Sequence, residues 1–302
     1  MIKRRIPLPD ISAVAANGTA LINCPIGPRY HGIFLSFGDS AGLTTAIPVF
    51  GTITTPALVK EIRVKLAGRE QRRHTAQHLD AINTEMCNGS SYGSLGYSAT
   101  AVAAGKRVLP IFFSEPWRQN RLQRDALAWQ TGHLGATGTL QVEVDLLTAV
   151  TGVPTLSAYA VVDDFIGGKP HAIMKWFTTQ VSNSGTAVEV STLARRDLYS
   201  QITCFQNTVP SFITRAKLVA GGTVLHDLSA VENAALLKQS DMNPVTVGLT
   251  LGTSQYSIVF DHSDDLDDLV PMSVSDLQLS LTLDVGTAGT MPIVTQRLGL
   301  PE

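Results

Sequence analysis

The chain has 302 residues, 44% of them hydrophobic and only 16% charged, with a net charge of −2 at neutral pH. That length gives a soft prior of about two domains, each large enough to bury a core without disulfides or metals to staple it. The charged share falls well below the usual quarter or so, so part of the surface is expected to be covered, and the near-neutral balance offers no basic footprint for nucleic acid.

Lys3-Arg4-Arg5 opens the chain, but Pro7, Pro9 and Asp10 interrupt the apolar run that a signal peptide needs. No stretch reaches about 18 consecutive apolar residues, the minimum for a bilayer-spanning helix. The expectation is a soluble protein assembled inside a cell, whose basic arm is either a disordered, solvated tail or a contact for phospholipid headgroups or nucleic acid. Cys24, Cys87 and Cys204 are odd in number and share no C-x-x-C spacing, so buried free thiols are expected rather than a disulfide framework or a zinc site.

In chain order, strands are predicted over 18–24, 29–37, 62–66, 109–113, 140–146, 155–162, 186–191, 201–206, 214–220, 257–260, 277–283 and 291–297. Helices are predicted over 75–86 and 228–239. Leu140, Val142, Val144 and Leu146 alternate with Gln141, Glu143 and Asp145, and Leu277, Leu279, Leu281 and Leu283 alternate with Gln278, Ser280 and Thr282. Period two of this kind puts one face on a core and the other in water, as antiparallel sheets do. In the first helix Ala76, Leu79, Ile82 and Met86 form the apolar side. In the second, Ser229-Ala230-Val231-Glu232 has capping-box spacing, with Asp227 as a competing cap, and Leu236 is the expected core contact matching Leu79.

The order of elements repeats. Ile62-Arg63-Val64-Lys65-Leu66-Ala67-Gly68 precedes the first helix and Thr214-Arg215-Ala216-Lys217-Leu218-Val219-Ala220-Gly221 the second, with Leu66 and Leu218 separated by 152 residues, about half the chain. An aromatic strand and an alternating strand follow in each half. The fold class expected is all-β: two tandem eight-stranded jelly rolls, each with a short inserted helix. Gly167-Gly168-Lys169-Pro170 supplies the boundary, giving domains 1–168 and 169–302. Two irregular stretches, 38–56 and 88–105, have no counterpart in the second half.

Signatures of chemistry are sparse. Gly89-Ser90-Ser91-Tyr92-Gly93 matches G-x-S-x-G, but that elbow needs a strand before the serine and a helix after it, and here a helix precedes and a loop follows. His74 and His78 stand at i, i+4 without the glutamate of H-E-x-x-H, and beside Arg72 and Arg73 they read as a solvated basic end. Asp261 to Asp268 places five carboxylates in eight residues; Asp264, Asp265, Asp267 and Asp268 are calcium candidates, against a solvated turn with Leu266 and Leu269 facing inward. Asp39, Asp163 and Asp164 pair with no histidine that sequence can place. There is no Walker loop and no G-x-G-x-x-G. No catalytic residue is assigned, and the chain reads as a structural or binding protein, not an enzyme.

Cys24-Pro25-Ile26-Gly27 with Tyr30, Ile62 to Arg69, Leu134 to Asp145, and Asp267-Asp268-Leu269 leading into Leu277-Gln278-Leu279-Ser280-Leu281 resemble the double jelly-roll major capsid proteins of tailless icosahedral, membrane-containing bacteriophages, of the corticovirus type. The resemblance implies a homotrimer whose six jelly rolls form a pseudo-hexagonal capsomer of an icosahedral shell, over an internal lipid membrane. It implies as partners neighbouring capsomers, penton or minor capsid proteins and membrane proteins, with lipid contact by the amino-terminal arm and no specific nucleic acid. It further implies a place in the virion capsid after assembly in the host cytoplasm, and no cofactor except calcium at subunit contacts. The alternative reading is a tandem jelly-roll protein that binds carbohydrate or a receptor, which the low aromatic content of 6% disfavours; a hydrolase using Ser91 is the third.

Overall fold

The structure, a computed structural model, describes residues 2–9, 11–39, 59–87, 107–118, 120–135, 138–147, 154–165, 171–183, 185–206, 212–244, 254–261, 265–272, 280–286 and 288–301. The chain divides into two compact units, Met1–Trp176 with Leu300–Glu302, and Phe177–Gly299. The expected boundary at Gly167 to Pro170 and the G-x-S-x-G segment lie outside the described residues, as do nearly all of both irregular stretches.

The first unit runs β1 (Arg4–Pro7), β2 (Thr19–Cys24), β3 (Arg29–Asp39), β4 (Val59–Leu66), β5 (Arg69–His74), α1 (Ala76–Met86), β6 (Arg107–Phe112), α2 (Arg121–Ala126), β7 (Trp129–Gln130), β8 (Leu140–Leu146) and β9 (Pro154–Asp163). One sheet has the order β1-β9-β3-β6, with the short β7 on β3; the other has β5-β4-β8-β2. The chain passes into the second unit along β10 (Ile173–Asn183). There it forms β11 (Ala187–Val190), β12 (Leu198–Phe205), β13 (Ile213–Ala220), β14 (Thr223–Ser229), α3 (Ala230–Gln239), β15 (Gln255–Val259), β16 (Val270–Pro271), β17 (Ser280–Val285) and β18 (Gly289–Gly299). Its sheets are β10-β18-β12-β15 and β11-β17-β13-β14.

Setting aside the two-residue strands β7 and β16, both units follow one permutation. The first strand pairs with the eighth, the eighth with the third and the third with the sixth; in the other sheet the order is second, seventh, fourth, fifth. That arrangement of eight antiparallel strands is a jelly roll, written twice.

Period-two alternation becomes core exactly where cross-strand neighbours share it. Ile22, Val142 and Val64 lie in one row across β2, β8 and β4, and Ala20, Val144 and Ile62 in the next. In the second unit Val190, Leu281 and Leu218 form a row, followed by Val188, Leu283 and Ala216. All of these side chains are buried. The opposite face of the first row carries ions: Arg63 Nη2 reaches Asp145 Oδ1 at 2.7 Å, and Lys65 Nζ reaches Glu143 Oε1 at 2.6 Å.

Local fixtures recur as well. Ala67 and Gly68 take φ of 51° and 78°, and Gly221 and Gly222 take 65° and 73°, so each unit turns from its fourth to its fifth strand through a two-residue hairpin of the type that needs two left-handed residues. Tyr30 and Tyr199, each the second residue of the third strand, donate from their hydroxyls to the carbonyl five residues upstream, Pro25 and Ala194, both at 2.6 Å. The next residue is a bulge in both units, His31 and Ser200, whose carbonyl accepts from Phe113 and Phe260 respectively. Asn83 of α1 donates to Pro110 O and Asn233 of α3 to Ser257 O, both at 2.9 Å, tethering each helix to the sixth strand.

Three expectations are corrected. A strand, β5 or β14, separates each glycine turn from its helix, so residues 228 and 229 end a strand instead of starting α3; Ser229 is the cap, in a full capping box with Glu232. Leu237, not Leu236, is the core residue of α3, while Leu79 is buried as expected. A third helix, α2, was not predicted: six residues are too few to show a 3.6-residue period.

Candidate functional site

A polar knot sits inside the first unit. Arg72 of β5 is 1% exposed; its Nε donates to Met174 O at 3.0 Å and its Nη1 to Phe112 O at 2.6 Å. The guanidinium lies 5.1–5.4 Å from the ring centroids of Phe113, Trp129 and Trp176. Burial pulls it down to about 9, opposed by Glu115. His74 and His78, expected on a solvated end, are 1% and 3% exposed, and His74 belongs to β5 instead of the helix. The overturned expectation has a simple cause: β5 faces the core with polar residues that find carbonyls and aromatic rings there, a use of Arg and His that hydropathy does not show. Burial, with Arg72 adding to it, pushes His74 down to about 3, and burial pushes His78 down to about 4.

Both histidines are therefore neutral at neutral pH. Each folded value lies below the unfolded one near 6.5, so their contribution to stability is complete above pH 6.5 and is lost as pH falls, because the unfolded chain takes up protons that the fold refuses. A His74→Phe, His78→Leu protein is expected to lose this part of the acid limb, flattening it by up to about 2.7 kcal/mol per pH unit between pH 6 and 4 relative to the parent. Urea titrations at stepped pH read the difference; parallel limbs would refute it. Asp80, raised to about 8 by burial, is common to both proteins and cancels.

A second network ties the ends of the first unit's strands. Arg29 grips Asp163 through Nε at 3.0 Å and Nη2 at 2.5 Å, His31 Nε2 stands 2.9 Å from the same carboxylate, and the Phe165 N–H donates to it at 3.0 Å. Burial alone would raise Asp163; the bonds from Arg29, His31 and Phe165 outweigh it and hold the carboxyl well below the usual range. His31 Nδ1 lies 3.4 Å from Asp125, which also receives Lys3 Nζ at 2.6 Å. Burial, set against the Asp163 bond, keeps His31 below its ordinary value. The pair joins residues 132 positions apart, which spacing could not reveal. Ser114 Oγ donates to this histidine's carbonyl, not to its ring.

Two surface depressions stand out among the described residues. In the first unit a pocket of about 290 Å³ is lined by Lys3, Arg5, Gly32, Phe34, Phe112 and Tyr159, with Phe34 and Tyr159 stacked at 4.8 Å. In the second a groove of about 350 Å³ lies between β14, α3 and β15, lined by Leu225, Leu228, Leu236, Ile258, Val259 and Phe260. The acidic run forms a single turn of 3-10 helix, Leu266–Asp268, with Asp267 and Asp268 exposed and Leu269 buried; Asp265 Oδ1 accepts from the Asp267 N–H at 3.1 Å. Asp264 lies outside the described residues. Among the described residues, no three His, Cys, Asp or Glu side chains converge as a metal site. The three cysteines are free and buried.

Two jelly rolls in one chain, each with a helix after its fifth strand, define the double jelly-roll class of viral coat proteins. Residues 5–163 match the family described as Viral coat protein P2 N-terminal domain, and the chain belongs to that family: it is a viral major capsid protein. Among solved structures, the major capsid protein P2 from Bacteriophage PM2 is 21% identical with a TM-score of 0.74, covering 99% of this chain and 98% of that one. The PBCV-1 virus capsid is 12% identical at a TM-score of 0.68, covering 100% and 96%, and a chain of the atomic structure of Sulfolobus Turreted Icosahedral Virus is 12% identical at 0.67, covering 99% and 91%. At these identities the likeness is one of fold. No curated protein sequence matches the chain. Family and folds are those of structural proteins.

Proposed function

We propose that three copies of the chain close into a ring of six jelly rolls, a pseudo-hexagonal capsomer that tiles an icosahedral shell. The observation that carries this reading is the duplicated strand order within one chain of a coat family: two like units per copy supply six from three. A charged share of 16% suits a subunit that buries its flanks against neighbours. The proposal extends to a shell over a lipid membrane, built in the host cytoplasm and completed by penton and membrane proteins, with the arm around Lys3-Arg4-Arg5 close to lipid. Arg5 is exposed and has no ion-pair partner among the described residues, which suits such an arm.

Calcium belongs to the same proposal as a bridge between copies. A calcium ion takes six to eight oxygens, and Asp265, Asp267 and Asp268 on one short turn do not gather that many, so a neighbouring copy would have to complete the shell. Light scattering of the purified protein is expected to give a species near three times 32.3 kDa. Its loss in chelator and return with calcium is the expected result for the bridge. A monomer at every concentration would refute the trimer, and a trimer indifferent to chelator would refute the bridge alone.

A further inference from the structure

A ring of identical copies joins each one to the next through two different surfaces, never through one surface meeting itself. If the trimeric reading holds, some feature of one unit must therefore fit a feature of the other. The first unit carries a protrusion of the required kind. Leu122 is 85% exposed on α2, yet α2 is firmly held. The Leu122 N–H is capped by Asn120 Oδ1 at 3.0 Å, Arg124 O accepts from the Glu115 N–H at 3.1 Å, and Arg124 Nε donates to Arg118 O at 2.9 Å. Beneath it Glu115 and Arg118 form a buried ion pair, and Asp125 is tied to Lys3. A large apolar side chain held in water on a rigid pedestal has nothing to gain from the fold of its own chain.

The second unit carries the complementary shape. The groove between β14, α3 and β15 is lined by the buried Ile258 and Val259 and by Leu225, Leu236 and Phe260; Leu225 is 37% exposed, and Val224 of β14 and Val231 of α3 are 51% and 42% exposed. Three apolar side chains exposed together on adjoining elements mark a contact surface, whereas single ones do not. The corresponding helix of the first unit is covered far more completely: α1 buries eight of its residues and α3 four. The charges are opposite in sign. Among the described side chains, Glu232 at the start of α3 is an acid left without an ion pair once Asp227 is taken by Arg215, and Arg124 of α2 is a base left without one once Asp125 is taken by Lys3.

We infer that Leu122 of one copy seats in the β14–α3–β15 groove of a second copy, and that this contact, repeated around the ring, holds the capsomer together. The test uses the full chain. Leu122→Asp is expected to melt at the parent's temperature, since the side chain is already in water. Its association is expected to weaken about tenfold or more, as for a central apolar contact, so that it is monomeric where the parent is trimeric. Leu122→Cys mixed with Leu225→Cys is expected to give covalent dimers with a short bis-maleimide, and neither protein alone to do so, the native thiols being buried. A parent trimer that survives Leu122→Asp, or that yields no cross-link in the mixture, overturns the inference and leaves the trimer standing. A monomeric parent overturns both.

Discussion

Arg72→Ala is expected to cost about 3–5 kcal/mol, the combined loss of a large buried side chain and of the donor to two buried carbonyls. Two carbonyls, Met174 O and Phe112 O, would lose their donor in a site without water access, and a void would open among Phe113, Trp129 and Trp176. Against a total stability of roughly 5–15 kcal/mol, that leaves the first unit marginal or unfolded. Arg72→Lys is expected to rescue little, because one ammonium on a flexible stem cannot serve both carbonyls and lie flat against three rings. Urea unfolding followed by Trp129 and Trp176 fluorescence measures both variants. A loss below about 1 kcal/mol would mean that the knot is ornamental.

Asp163→Ala is the second large loss, again about 3–5 kcal/mol, since it strands Arg29 and His31 at a site where Asp163 is 1% exposed. Its pH dependence separates charge from packing. The folded carboxyl lies below its unfolded value near 3.9, so its contribution is complete above that pH and is lost as pH falls through the folded value. The gap between parent and variant should thus be constant from pH 8 to about 5 and narrow below 4. A gap that stays constant down to pH 2 would assign the loss to packing alone.

What sequence could show, and what it could not, divides along a physical line. β8 and the strand around Leu281 were legible because one face meets a core and the other meets polar partners, the condition under which period two is written into the residues. β5 was illegible because Gln71, Arg72 and His74 are its buried face. The sheet β10-β18-β12-β15 departs from the one-sided expectation for a related reason. Gln201, Thr203, Ser257 and Gln296 are buried on the side away from Tyr256 and Ile258, bonded to one another at 2.7–3.1 Å, so polarity there does not signal water. The Asp163–His31 pair depends on strands brought together from distant parts of the chain, and no local pattern encodes it.

The bulge that follows Tyr30 and Tyr199 has a wider meaning. It occupies the same place in both units and offers the same carbonyl to the start of the segment after the sixth strand, yet it presents a histidine in one and a serine in the other. The backbone irregularity is thus a fixed grammatical slot, while the side chain within it differs with its surroundings, a histidine bonded to Asp163 in the first unit and a serine in the second. A builder of a minimal jelly roll from this chain would keep the tyrosine, the bulge, the helix asparagine and the two left-handed turn residues, and treat the rest of the outer surface as open to rewriting.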